Sequence, residues 1–194
     1  MPAERSLVLG TRNPHKVREI ARLLAPAAVM VEPLGAGIEL PPETGQTFAA
    51  NALPKARAAA RGAGRAAIAD DSGIEAEVLG GAPGVRSARF AGAEASDEEN
   101  LAKLVREAPA GSRLRYVCAL AYAEADGEEQ VFFGYCTGRL ADERRGTGGF
   151  GYDPVFVPDA HPDGRTMAEL SDAEKDAISH RGNAIRAFLE WFER

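Results

Sequence analysis

Ile68-Ala69-Asp70-Asp71-Ser72-Gly73 joins an apolar run to two adjacent carboxylates, a hydroxyl and a glycine. Ala66 to Ala69 reads as a short buried strand, with the two aspartates at its tip. Carboxylates held that close repel each other unless a proton or a cation lies between them. Mg2+ takes carboxylate, water and phosphate oxygens, so the tip is a candidate magnesium site. Asp-Asp-Ser-Gly is also a good turn after a strand. Taken alone the segment favours the turn, and the rest of the chain has to decide.

On its N-terminal side, Ser6 to Gly10 reads as another buried strand and Thr11-Arg12-Asn13-Pro14 as a turn. Val17, Ile20, Leu23 and Leu24 then recur at helical spacing. A strand, a tight polar loop and a helix in succession make a phosphate site, because the helix N-terminus carries spare N–H groups and a partial positive charge. Thr11, Asn13 and Lys16 add a hydroxyl, an amide and an ammonium at that point. Asn13 ahead of Pro14 is equally an ordinary helix cap. A cap does not account for Lys16, whose charge opposes the helix dipole and so asks for an anionic partner. Val29 to Leu40 is weakly patterned, and Pro41 to Gly45 is a loop. Thr47 caps a helix running to Arg61, with Phe48, Ala52 and Lys55 along it. Pro54 lies inside that helix, where proline costs roughly 3 kcal/mol, and predicts a kink or an early break.

On the C-terminal side, Gly80 to Gly84 is a loop and Val85 to Phe90 a short helix or turn carrying Arg86 and Arg89. Ser96-Asp97-Glu98-Glu99 is a capping box for a helix that buries Leu101, Leu104 and Val105. Leu114, Tyr116, Cys118, Leu120 and Tyr122 alternate, Asp126-Gly127 marks a hairpin turn, and Val131, Phe133 and Tyr135 continue on the return strand. Such a ribbon predicts a mixed sheet. Gly146-Thr147-Gly148-Gly149-Phe150-Gly151 matches G-x-G-x-x-G by letter, but Tyr152-Asp153-Pro154 and an apolar run follow where a dinucleotide site needs a helix. The glycines instead suit a loop that approaches a ligand closely, with Phe150 or Tyr152 as a stacking ring. Ser171-Asp172-Ala173-Glu174 is a second capping box, for a helix that carries Lys175 and ends near His180-Arg181. That pair is either a surface C-cap or a pair of donors for a ligand's carbonyl oxygens.

The 194 residues, 45 % hydrophobic and 27 % charged, are enough for one well-buried domain. The net charge of -6 argues against broad nucleic-acid binding, which wants a basic face. Cys118 and Cys136 lack a C-x-x-C spacing and read as buried free thiols. Neither a secretory signal nor a run of ~20 apolar residues is present, so no membrane contact and a cytoplasmic location are expected.

A phosphate cradle, a carboxylate centre, a glycine-aromatic loop and a Lys…His-Arg segment together suit a nucleoside triphosphate. The chain resembles the inosine/xanthosine triphosphate pyrophosphatases over nearly its full length. The resemblance rests on Thr11 to Lys16, Glu43 to Phe48, Asn51-Ala52 with Lys55-Ala56, Ala69 to Gly73, Gly84 to Phe90, Gly148 to Pro154 and Ser179-His180-Arg181. Arg12, where the family often has a small residue, and Pro54, beside Lys55, depart from it.

The resemblance implies an α/β fold over residues 1–194: a long twisted mixed sheet with flanking helices, in two lobes around a central cleft, as a homodimer. It implies Mg2+-dependent hydrolysis of non-standard purine triphosphates to monophosphate and pyrophosphate. Asp71 is then the proton acceptor and a metal ligand, with Glu43 the second metal carboxylate. Thr11, Arg12, Asn13, Pro14, His15, Lys16, Lys55 and Ser72 would hold the phosphates. Phe150, Gly151, Tyr152, Asp153, Lys175, His180 and Arg181 would hold the sugar and base. The competing readings are a metal-dependent phosphohydrolase releasing orthophosphate, a nucleotide-binding regulator without turnover, and a reductase built on the glycine loop.

Overall fold

The apolar run after Arg5 forms the strand it predicts. In the computed structural model, which describes residues 5–194, β1 (Arg5–Leu9) pairs in parallel with β2 (Val29–Pro33). On its other side β1 pairs in parallel with β3 (Ala67–Ala76), but only at Val8↔Ala67 and Leu9↔Ile68. Then come β4 (Arg113–Ala123), β5 (Glu129–Leu140) and the short β6 (Phe156–Pro158), antiparallel to β5. The order β2-β1-β3-β4-β5-β6 makes one open mixed sheet of six strands, as expected.

β3 does not stop at the aspartates. It runs on through Asp70, Asp71, Ser72 and Gly73 to Ala76, so the expected tip is the middle of a strand. A turn there would need exposed carboxylates, whereas Asp70 is fully buried and Asp71 nearly so. The cost of burying them is met by partners described below.

Among the described residues five α-helices accompany the sheet: α1 (Pro14–Leu24), α2 (Phe48–Ala63), α3 (Asp97–Glu107), α4 (Asp172–Ile178) and α5 (His180–Phe192). Asn13, Thr47, Ser96 and Ser171 cap the first four as the sequence indicates. Pro54 does not break α2, which is helical through Ala63. Ala52, Ala56, Ala59 and Ala60 on that helix are fully buried, and this packing outweighs one lost hydrogen bond. The close approach also dictates Gly10, where a Cβ would lie 2.9 Å from Ala69 Cβ and 3.3 Å from Ala59 Cβ. His180 and Arg181 open α5 rather than ending the helix before it.

The chain forms two compact units. One comprises residues up to Asp71, Cys118–Gly134 and Arg181–Arg194, and the other Ser72–Val117 and Tyr135–His180. The first has a core of Leu7, Leu9, Ile20, Leu24, Ile68, Leu120 and Phe188, with Trp191 packed against Tyr122 and Phe132. The second has its own core around Ile74, Leu104, Tyr116, Phe156 and Met167. Cys118 and Cys136 are buried and free.

Candidate active site

β1 ends at Leu9 while β3 continues, and this difference in length builds the polar cluster of the first unit. Gly10 N donates to Ile68 O at 2.7 Å, the last such bond between the two segments. Carbonyls two apart on a strand share a direction. The next one, Asp70 O, therefore faces the edge that β1 has left, and it accepts from Lys55 Nζ at 2.8 Å and Lys16 Nζ at 3.5 Å.

Successive strand side chains point to opposite faces, so Asp70 and Asp71 separate. Asp70 Oδ2 accepts from Arg181 Nη2 at 2.9 Å and Nε at 3.3 Å, and its Oδ1 lies 3.2 Å from Lys16 Nζ. Arg181 also donates to Glu19. Burial on its own would raise the Asp70 carboxyl, but Lys16, Arg181 and Lys55 outweigh it and hold the group far below the usual carboxylate range. Asp70's charge in turn helps burial push the Cys118 thiol up to about 12, leaving it inert.

Asp71 Oδ2 accepts from Asn51 Nδ2 at 2.9 Å, and Asn51 Oδ1 accepts from Gly45 N at 2.7 Å. Asn51 thereby ties Asp71 to the loop that carries Glu43. Lys55, four residues further along α2, forms an ion pair with Glu43. The Asp71 carboxyl is raised, first by burial and then by the negative charge of Glu43, with Lys55, Asn51 and Lys16 pulling the other way. A carboxylate raised in this way is a better proton acceptor than a free one. Among the described residues no group of three or more His, Cys, Asp or Glu could hold a metal ion. Glu43 and Asp71, two hard oxygen donors whose charges act on each other, nevertheless suit Mg2+, which takes one or two carboxylates and completes its shell with water and phosphate.

At the start of α1, Asn13 Oδ1 accepts from His15 N at 2.9 Å and Lys16 N at 3.3 Å, while Thr11 Oγ1 accepts from Asn13 N at 3.2 Å. Pro14 occupies the first helical position, and the His15 ring meets Arg18 Nη2 at 2.9 Å. Arg12 is not turned to the helix start. Its Nη2 donates to Ile38 O at 2.9 Å and Gly35 O at 3.4 Å, which pins the segment after β2 and uses the guanidinium.

The second unit carries its own polar cluster. Asp153, buried, accepts from Lys175 Nζ at 2.7 Å, Phe150 N at 2.9 Å and Tyr116 OH at 3.1 Å. The His180 ring stacks on Tyr116 with centroids 4.6 Å apart and planes 8° from parallel. Lys175 Nζ lies 5.3 Å from the centroid of Phe150, whose ring is partly exposed. The loop before Asp153 turns at Gly149, with φ of 68°, where a Cβ would sit 2.0 Å from Asp153 Oδ2. Burial and the Asp153 charge push the Tyr116 hydroxyl well above its usual range, so it stays a donor. Gly151 N donates to Asp97 Oδ2 at 3.1 Å, and Ser72, partly exposed, follows Asp71 on β3.

Two residues expected at the base differ. Tyr152 is buried in the core with its hydroxyl donating to Ser87 O at 2.7 Å, so Phe150 alone offers a ring. Arg181 is 1 % exposed and belongs to the Asp70 group in the first unit. Adjacent residues on a helix point about 100° apart, so neighbours in sequence need not share a target. Sequence reasoning gave no role to Asn51, Glu19 or Tyr116. The spacing of Asn51 and Lys55, one helical turn apart, is the signal that was available.

Residues 7–191 match the model of the Ham1 family. A dITP/XTP pyrophosphatase from Cutibacterium acnes is 46 % identical over 191 residues, covering 94 % of each chain. Another from Erwinia tasmaniensis is 48 % identical over 192 residues, covering 95 % of this chain and 92 % of its own. Among solved structures, a HAM1 protein from Coxiella burnetii superposes with a TM-score of 0.84 at 37 % identity, covering 97 % of this chain and 98 % of that one. The nucleoside-triphosphatase / dITP/XTP pyrophosphatase of Mycobacterium abscessus gives 0.73 at 40 % identity, covering 95 % and 98 %. The similarity spans both units and every segment described above, and the chain belongs to the Ham1 family.

Proposed function

We propose that the protein hydrolyses non-standard purine nucleoside triphosphates, ITP, dITP and XTP, to the monophosphate and pyrophosphate with Mg2+ as cofactor. The observation that carries this is Asp71: a buried carboxylate with a raised pKa, oriented by Asn51 and flanked by Glu43 and two lysines. Its near-full-length relatives named dITP/XTP pyrophosphatase supply the substrate class.

Water adds to one phosphorus of the α–β bridge, the bridging P–O bond breaks, and monophosphate and pyrophosphate part, the bridging oxygen staying with the phosphorus that was not attacked. Asp71 takes the proton from that water. Glu43 and Asp71 would hold Mg2+, which when bound would neutralise phosphate charge. Lys16, Lys55 and Ser72 bind the phosphates beside the positively polarised start of α1, whose own N–H groups are capped by Asn13. Phe150 stacks on the base, while Lys175, held by Asp153, donates to the 6-oxo oxygen of hypoxanthine or xanthine. Adenine carries a 6-amino group there and would set donor against donor. We further read the protein as a homodimer acting on free nucleotides in the cytoplasm, and the net charge of -6 fits the absence of a nucleic-acid partner. Among the described residues no helix is long and apolar enough to cross a membrane.

A panel of triphosphates assayed for pyrophosphate with and without Mg2+ tests this. Pyrophosphate from ITP, dITP and XTP, only with Mg2+, is the expected result. Orthophosphate without pyrophosphate would overturn it, and tight binding without turnover would make the protein a regulator. Sedimentation velocity reads the dimer.

A further inference from the structure

Asp70 has no part in the chemistry above, yet it is the most deeply enclosed carboxylate of the site and touches more of its cations than Asp71 does. It is 0 % exposed in mid-strand. Its side chain faces Lys16 Nζ at 3.2 Å and accepts from Arg181 at 2.9 Å, while its main-chain carbonyl accepts from Lys55 at 2.8 Å. Arg181 is fixed from its far end by Glu19, one turn along α1 from Lys16.

The two oxygens of the carboxylate are held differently. Oδ2 takes two guanidinium hydrogen bonds. Oδ1 takes no aligned hydrogen bond, although the Lys16 ammonium is 3.2 Å away. Lys16 is therefore held to the carboxylate by charge, and its one hydrogen bond to Asp70 is a long one, 3.5 Å, to the main-chain carbonyl. A point charge on a flexible stem can be fixed in this way and still donate to an incoming oxygen. Lys55 is held by the backbone carbonyl, a contact that survives any change to the Asp70 side chain.

We propose that Asp70 is a positioning residue: anchored by Arg181, its carboxylate sets the place of the Lys16 ammonium that meets the substrate's phosphates. This rests on the reading of Lys16 as a phosphate ligand. Asp70 acts through Lys16 and does not touch substrate. Asp71 is its neighbour in sequence only, since the two side chains leave opposite faces of β3.

The test is a double-mutant cycle of Asp70→Asn and Lys16→Met in the full chain, read both as kcat/KM for ITP with Mg2+ and as the Kd for Mg2+-tripolyphosphate by calorimetry. Asp70→Asn keeps the shape and the main-chain carbonyl and removes only the charge. The expected result is a loss of about tenfold or more in both quantities, which nearly vanishes in the Lys16→Met background. A general loosening of the fold would instead lower both backgrounds by the same factor, and that multiplicative outcome overturns the proposal. So does an unchanged kcat/KM together with an unchanged Kd. Should Asp70→Asn fail to fold, Glu19→Gln replaces it in the same cycle, with a smaller loss and the same dependence on Lys16. Wild-type protein that binds tripolyphosphate without releasing pyrophosphate would sink the hydrolase reading and leave the cycle measurable through Kd. Wild-type protein that binds no tripolyphosphate would overturn both.

Discussion

Lys175 Nζ lies 2.7 Å from Asp153 Oδ2, and the two side chains are 6 % and 4 % exposed. Removing one partner of a buried pair strands the other charge, at a cost of about 3–5 kcal/mol. Asp153→Asn should therefore lose about 3 kcal/mol in urea denaturation followed by circular dichroism. Because Phe150 N also depends on Asp153, KM for ITP should rise more than kcat falls. A variant with wild-type stability and KM would remove this pair from the base pocket.

Asp71→Asn cannot accept a proton. Its kcat should drop by about 10²–10⁴, the usual worth of a general base, while the Kd for ITP stays within a few-fold. In the wild type the reactive form is the carboxylate, so kcat/KM is lost as pH falls through its raised pKa. The acid limb of the profile should lie above the ordinary aspartate value of ~3.9. Asn51→Ala removes a bond that lowers this pKa and should move the limb to higher pH. A limb that stays fixed in this variant would point to another titrating group.

Chelation of divalent ions should abolish pyrophosphate release, and added Mg2+ should restore it. Glu43→Gln replaces a charged oxygen donor by a neutral one and should raise the Mg2+ concentration at half-maximal rate by about tenfold. A shift in KM for nucleotide with no change in the Mg2+ requirement would assign Glu43 to Lys55 alone.

Gly10→Ala forces a methyl to within 2.9 Å of Ala69 Cβ and 3.2 Å of Lys55 O. Overpacking of this kind costs about 1–3 kcal/mol. The fluorescence of Trp191, the chain's single tryptophan, reports unfolding of that unit, and its midpoint should fall accordingly.

The parts of this fold that are encoded locally could be read from the sequence. Asn13, Thr47, Ser96 and Ser171 each satisfy an N–H within three residues, so their helix starts needed no tertiary context. The course of β3 did need it. Asp70 and Asp71 look like a turn until Lys16 and Arg181, 54 and 111 residues away in sequence, make their burial affordable. Pro54 misleads for the same reason, since its local cost is outweighed by the packing of alanines whose partners lie elsewhere. At the site, Lys16 stands out by residue type and position, whereas Lys55 and Glu43 come only with the resemblance to the pyrophosphatase family. Arg181 and Tyr152 are taken by groups from distant segments, the Asp70 carboxylate and the Ser87 main-chain carbonyl, which no local pattern announces.

The opposite orientation of Asp70 and Asp71 makes the length of the chain ahead of them an even-or-odd matter. Gly64 closes α2 and β3 begins at Ala67 with only Arg65 and Ala66 between, a connection with no slack. One residue added to or lost from it would invert every side chain of the strand if pairing held. An added residue would seat Asp70 where Asp71 now lies and Ala69 where Asp70 does, and a lost one would seat Asp71 at the Asp70 position and Ser72 at that of Asp71. Gly64-Arg65-Ala66 is thus a spacer whose residue count sets which way both carboxylates point.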